Sequence, residues 1–401
     1  MNKVFVVSEY VYSAQNSTGY FWSKVIDRVG LTYGGVKVIA PVSIASEKSK
    51  SAVSGVEYVE FQSVNFNKNR LFSRLLGQLQ YCIRFLYHIA RHVRRNDVVL
   101  SGTNPALLLM LLPVLKWLLG FRWCLLVHDV FPENLVPAGI LKKNSLIYSI
   151  LSWLFSIIYS RADHIIVIGR DMKKLVSKKI EARVDITVIQ NWVSDQDVVL
   201  EARDNSELID RLGWKDKVVF QFFGNIGRVQ GVDNLLAAIR LVSDRRAVFL
   251  FIGDGAAVET LRSFIECNGR HDVAYIGTVS QSEKSKGLAA CDVALITLEQ
   301  GMLGLGVPSK AYFSMAADKP LLAVMDSQAE IAQMINDDSI GWHCDASDPV
   351  ALAALIDHVC QQDLTLMSGR SRKVLQDKYS EAKALEKFIT CINTIMKVRP
   401  S

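Results

Sequence analysis

Three glycine-rich stretches in the second half of the chain stand beside residues able to hold an anion, and they carry most of the chemistry on offer. In FFGNIGRVQG, Gly224, Gly227 and Gly231 let the backbone approach a ligand closely, and a helix starting near Val232 turns its free N–H groups toward the loop. That geometry suits a diphosphate, to which Arg228 and Gln230 add donors; tight-turn chemistry alone is the alternative. Gly253-Asp254-Gly255 ends the next apolar run and leaves room for a sugar or base, unless Asp254 simply caps the following turn. In GMLGLGVPSK, Gly301, Gly304 and Gly306 form a loop able to wrap a ligand, with Pro308, Ser309 and Lys310 opening a helix. A cation at a helix start opposes the dipole, so Lys310 calls for an anion beside it; a Lys310 extended into solvent is the other reading.

The first half offers a different set. His128-Asp129 ends the run RWCLLVHD, with Glu133 on the loop that follows, and a histidine there can hydrogen-bond a sugar hydroxyl or move a proton. Asn16, Ser17, Thr18 and Gly19 follow the first apolar run, and Asn104 and Pro105 follow another, so both groups belong to the same rim.

These residues need elements to hold them. β-Branched and apolar runs at 3–9, 36–41, 58–61, 97–102, 122–129, 164–169 and 185–191 read as strands, separated by helical segments. A loop is expected over 13–20. The polar stretch 194–216 marks a boundary, after which strands at 217–225, 247–255, 273–277, 320–325 and 341–346 alternate with helices again. Alternation of this kind predicts two successive α/β units, each with a mostly parallel sheet covered on both faces, and a helical tail that closes the molecule. Ligands of such sheets sit beyond the carboxyl ends of the strands, where the residues above are placed.

The totals exclude several classes. With 401 residues, half of them apolar, the chain has room for two domains and is not disordered. Lys plus Arg exceed Asp plus Glu by 46 to 40, too mild a bias for a nucleic-acid partner. Seven cysteines without a CxxC pair fit neither a disulfide framework nor a zinc site, and no DxD metal pattern ends a strand. The N-terminal MNKVFVVSEY has too short an apolar run for a signal peptide and reads as a first strand. Runs 106–120 and 150–160 fall short of the roughly 20 residues of a membrane span and read as buried helices. Between Asn65 and Asn96, Lys68, Arg70, Arg74, Arg84, Arg91, Arg94 and Arg95 occur without an acid, while Phe72, Leu76, Leu79, Ile83 and Leu86 recur at helical spacing. This is a basic amphipathic helix, which either packs its apolar stripe on its own domain or leans on anionic lipid.

The stretches STGY, VHDVFPE, VIQNWV, FFGNIGRVQGVDNLL, FIGDG and GLGVPSKAYFSMAADKP make nearly the whole chain resemble glycosyltransferase family 4, closest to bacterial O-antigen and capsule L-fucosamine transferases. The resemblance implies the GT-B fold: a Rossmann-like acceptor-binding domain over 1–200, a Rossmann-like nucleotide-sugar domain over 201–375, and a helix over 376–401 packing back on the first, around a central cleft. It implies retaining transfer of a sugar, N-acetyl-L-fucosamine, from a UDP-sugar to a polyprenyl-diphosphate-linked saccharide on the cytoplasmic leaflet, by a peripheral enzyme without a metal or other cofactor. The basic region 68–95 and the apolar 106–120 would then face the membrane. Donor binding falls to Gly19, Asn225, Gly227, Gln230, Gly253, Gly255, Gly304 and Ser309, and catalysis to His128, Asp129, Arg228 and Lys310. Arg228 and Lys310 would stabilise the departing diphosphate, and His128 and Asp129 would orient the donor sugar or shield the ion pair.

The family pattern is not complete. Its diphosphate-binding Arg and Lys fall on Asn225 and Gln230, and the two glutamates of its E-x7-E motif fall on Leu305 and Phe313. Two other readings follow: a UDP-sugar epimerase on the same two-domain plan, and a non-catalytic scaffold of a polysaccharide-synthesis complex. A dinucleotide oxidoreductase is disfavoured, because no glycine fingerprint follows the first strand.

Overall fold

Uninterrupted apolar runs become strands buried on both faces, as in VFVV and AVFLFI, where every residue is out of contact with water. The structure, a computed structural model, describes residues 3–42, 50–62, 71–194, 196–268 and 271–397. The strands of the first sheet are β1 (Val4–Val7), β2 (Val36–Pro41), β3 (Val56–Phe61), β4 (Val98–Ser101), β5 (Arg122–Val127), β6 (His164–Val167) and β7 (Ile186–Val188). Those of the second are β8 (Val218–Phe223), β9 (Ala247–Ile252), β10 (Val273–Tyr275), β11 (Val293–Thr297), β12 (Leu321–Val324) and β13 (Gly341–Cys344). The orders are β3-β2-β1-β4-β5-β6-β7 and β10-β9-β8-β11-β12-β13, with all pairings parallel.

In the first half the helices are α1 (Ser17–Tyr33), α2 (Leu71–His92), α3 (Ala106–Leu119), α4 (Leu146–Tyr159) and α5 (Arg170–Lys179). They continue in the second half as α6 (Glu207–Leu212), α7 (Val232–Leu241), α8 (Val258–Asn268), α9 (Lys284–Ala289), α10 (Lys310–Ala316), α11 (Glu330–Asp338), α12 (Pro349–Cys360), α13 (Arg370–Lys378) and α14 (Glu381–Lys397). Two Rossmann-like units flank a cleft, and the last helix returns to the first unit, which is the GT-B architecture. In that return, Tyr33 Oη donates to Asn393 Oδ1 at 2.8 Å, and Arg122 donates to the Ile395 carbonyl.

Three local expectations differ from the structure. The loop over 13–20 is already helical from Ser17, because Asn16 caps α1 by accepting the Gly19 N–H at 2.9 Å. In α2 the apolar stripe, for which packing on its own domain and contact with lipid were both open, is divided: Leu79 is 51% and Ile83 55% exposed and Leu86 packs against the core, while Tyr81, Cys82, Phe85 and Ile89, outside the stripe, are buried. Lys68 and Arg70 lie outside the described residues, as do the side chains of Phe72, Arg74 and Leu76. The helices read as buried, α3 and α4, are apolar on two sides, and the sheet covers only one. Trp117 is 82% and Leu146 75% exposed, with Ile147, Ile150 and Trp153 beside them, whereas Leu109, Leu112, Phe155 and Ile158 are buried. Since α3 lies against both α2 and α4, these outward apolar residues share one side of the first domain. Among the described residues no helix is long and apolar enough to cross a membrane.

The domains are also tied below the cleft. Glu330, fully buried at the start of α11, accepts from the Arg170 N–H at 2.6 Å and pairs with its guanidinium at 3.1 Å, and Arg170 reaches on to Asp337 at 2.6 Å.

Candidate active site

Strand order reverses between β1 and β4 in one sheet and between β8 and β11 in the other, and the loops leaving β1, β8 and β11 meet across the cleft. They enclose a cavity of about 350 Å³ whose polar lining includes Asn16 and Ser17 from the first domain and Asn225, Gln230, Ser309 and Lys310 from the second. Lys310 Nζ donates to Gln230 Oε1 at 2.7 Å and lies 3.5 Å from the Phe222 ring centroid. The cavity reaches it, yet protein so surrounds it that desolvation holds its ammonium well below the usual lysine range. A bound anion would restore the charge.

A second cation here carries no sequence signal. Lys284, at the start of the short α9, enters the same cavity with Nζ 3.0 Å from the Phe313 ring centroid, and burial lowers its pKa to about 7. No glycine loop or motif surrounds it. Only the packing of α9 brings it beside Lys310.

The glycines act mainly on each other. A Cβ on Gly253 would lie 1.8 Å from the Gly224 carbonyl oxygen, and one on Gly255 would lie 2.3 Å from that of Ile226. The two loops are then joined where Ile226 N–H donates to the Asp254 carbonyl at 2.9 Å. Gly253 and Gly255 therefore shape the wall from behind, as does Gly227 against Asn225, and none of the three lines the cavity. Arg228 is exposed and also off the lining. Gly19 gives its N–H to Asn16, and its missing Cβ lets α1 lie against the Tyr12 carbonyl. Gly304 gives its N–H to Asp171 Oδ2 at 3.1 Å, another tie between domains.

His128 and Asp129 stand at the end of β5 beside the 301–310 loop. Val130 N–H donates to the Leu305 carbonyl at 3.3 Å, and Gly306 passes the pair so closely that a Cβ would be 3.8 Å from Asp129 Oδ1. Burial lowers the imidazole pKa to about 4 and raises the Asp129 carboxyl to about 6, so the ring is neutral near pH 7, and its buried Nδ1 has no hydrogen-bond partner among the described residues. Neither side chain lines the 350 Å³ cavity. Gly301, Leu303 and Leu305 instead border a second cavity of about 750 Å³, with Glu133 in its lining, while 308–310 border the first and Gly304 lines neither. The glycine-rich loop thus reaches both chambers at different points along its length, with His128-Asp129 against it.

The family described as Glycosyltransferase Family 4 matches residues 36–197, and that described as Glycosyl transferases group 1 matches residues 217–362. The Pseudomonas aeruginosa protein described as "Probable glycosyltransferase WbjE" is 51% identical over 396 residues, 99% of either chain. The chain belongs to glycosyltransferase family 4. Its fold is shared by HepE of Anabaena, solved in complex with UDP, at a TM-score of 0.70 and 14% identity over 98% of this chain and 100% of that one. Sucrose-phosphate synthase of Thermosynechococcus elongatus gives a TM-score of 0.76 at 13% identity, over 98% and 99% of the two chains.

The positions where this transferase departs from the family pattern can now be placed. Asn225 and Gln230, uncharged, line the first cavity, where Lys310 and Lys284 supply the cations. Phe313 forms part of that cavity's apolar wall, and Leu305 faces the other chamber. Among the described residues no group of three or more His, Cys, Asp or Glu is placed to hold a metal ion.

Proposed function

We propose that this transferase moves a sugar, N-acetyl-L-fucosamine being the first candidate, from a UDP-sugar to a polyprenyl-diphosphate-linked saccharide in O-antigen or capsule synthesis. The observation that carries the reading is the convergence of Lys310, Lys284, Gln230, Asn225 and Ser309 in one cavity at the switch point between the domains. A diphosphate there meets two ammonium groups and the amides of the loop after β8. UDP in HepE, a protein of the same fold, supports this nucleotide.

The C1–O bond to the β-phosphate breaks with its electron pair leaving on the phosphate, while the ring gains oxocarbenium character. Lys310 and Lys284 stabilise the growing negative charge, which is larger in the transition state than in the bound donor. The acceptor hydroxyl forms its bond to C1 on the face the diphosphate leaves, giving retention, and passes its proton to the leaving phosphate oxygen. Neutral His128 orients the donor sugar, with Asp129 beside it. Arg228 acts only if its exposed side chain folds inward when donor is bound.

Products from a panel of UDP- and GDP-sugars, offered with short lipid-linked saccharides, are read by mass spectrometry. A single sugar added from a UDP donor, lost in Lys310→Ala with the fold retained by circular dichroism, is the expected result. UDP-sugar epimerisation without acceptor would replace the transferase reading with the epimerase, and no nucleotide binding at all would favour the scaffold.

A further inference from the structure

The larger chamber is the feature the donor chemistry leaves unused. It is lined by residues of α4, α5, the loop after β5 and the 300–305 segment, and shares no lining residue with the nucleotide cavity. Lys143, Lys178 and Lys179 line it, against a single acid, Glu133. Glu133 is already committed: its Oε1 accepts from Lys179 Nζ at 2.6 Å and from Ser152 Oγ at 3.3 Å. Lys143 and Lys178 have no acidic partner among the described residues, so the chamber holds two uncompensated positive charges. The rest of the lining mixes apolar residues, Val136 and Leu175 half-buried and Leu303 and Trp153 exposed, with Gln300 and the serines of α4.

Trp153 belongs to the outward apolar face of α4, which continues through Ile150, Ile147 and Leu146. A cationic chamber that opens onto an apolar helix face fits a molecule with an anionic group joined to a hydrocarbon. Neither inorganic phosphate nor a free sugar phosphate explains the apolar exit. Leu305 lines the chamber, and its carbonyl accepts from the Val130 N–H in the turn bearing His128 and Asp129, so the chamber borders the loop that also reaches the donor cavity at 308–310.

We propose that this chamber binds the diphosphate and first isoprenoid units of the lipid-linked acceptor, with Lys143 and Lys178 on the phosphates and Trp153 with the α4 face along the chain. The assignment rests on the lipid-linked acceptor proposed above, and it gives the two diphosphates, one on each substrate, separate chambers with no lining residue in common. Two like-charged groups are thereby kept apart, each with its own cations.

The test is calorimetric titration of the full-length protein with farnesyl diphosphate, inorganic pyrophosphate, farnesol and UDP. Farnesyl diphosphate is expected to bind at least tenfold more tightly than pyrophosphate or farnesol, and with unchanged affinity when UDP is saturating. Lys143→Ala/Lys178→Ala should weaken it at least tenfold and leave UDP affinity and thermal melting unchanged. Trp153→Ser should abolish the advantage of farnesyl diphosphate over pyrophosphate. Displacement by UDP, or equal affinity in the wild type and the double-lysine variant, would overturn the assignment. Failure to transfer sugar to any lipid-linked acceptor, with farnesyl diphosphate still held by the two lysines, would remove the proposed function and leave the chamber's ligand standing.

Discussion

At the residue scale, the two lysines of the nucleotide cavity differ in how they are held, and this has a consequence for pH. Lys284, its pKa lowered to about 7 by burial, is half neutral near neutrality in the free protein, and a diphosphate binds its charged form. The folded, ligand-free value lies below that of the complex, so proton uptake accompanies binding as pH rises through 7. UDP affinity should fall by up to about tenfold per pH unit between pH 7.5 and 9, where UDP's own phosphates no longer titrate. Lys284→Arg should remove the Lys284 share of this fall, since a guanidinium stays charged, and leave the share of Lys310, whose ammonium burial also holds below its usual range. A slope unchanged in Lys284→Arg, read by calorimetry, would place the titrating group elsewhere. Lys310, with its hydrogen bond to Gln230, is expected to contribute more: Lys310→Ala should lower UDP affinity by about ten- to hundredfold.

At the scale of elements, the walls of the cavity depend on backbones that come closer than any side chain permits. Gly253 combines a φ of +142° with a missing Cβ that would clash with Gly224. Gly253→Ala should therefore cost on the order of 2–4 kcal/mol of stability and displace the loop after β8, weakening UDP binding as well. Asn16→Ala, which removes the cap of α1 along with a polar group of the cavity lining, should cost about 1 kcal/mol of stability, read by chemical denaturation. Apart from β11, which the sequence did not separate from the helical residues before it, the strands were legible, because a parallel strand buried on both faces leaves a continuous apolar run in the sequence. The inward face of α2 was not: the helix carries apolar residues on two sides, and periodicity does not say which one the sheet takes.

At the scale of the whole molecule, the cleft is bounded by contacts between residues more than a hundred positions apart. Glu330 is buried against Arg170, and Glu330→Ala leaves the Arg170 N–H and part of its guanidinium without an acceptor. The expected loss is about 3 kcal/mol, with the two domains melting less cooperatively by calorimetry. A single unshifted transition would show that α14 and the remaining contacts hold the domains together without it. The outward apolar residues of α3 and α4 give the first domain a surface suited to a bilayer, with Lys142 and Lys143 beside it. Trp117→Ser/Trp153→Ser should reduce sedimentation with anionic vesicles severalfold; equal sedimentation of the two proteins would rule out this approach to the membrane.

The amino-acid sequence by itself determined two parallel-sheet domains and the loops at the strand ends from which Asn225, Gln230, Ser309 and Lys310 come. Those features are local: a run of apolar residues, a glycine, or a helix start declares itself within a few positions. Only the tertiary structure decided that Lys284 joins Lys310, that Gly253 and Gly255 brace a loop instead of lining a cavity, that Arg228 is exposed and off the lining, and that the glycine-rich 301–310 segment reaches two chambers. These depend on which loops of two different sheets face one another, and no periodicity along the chain encodes a distance across a cleft.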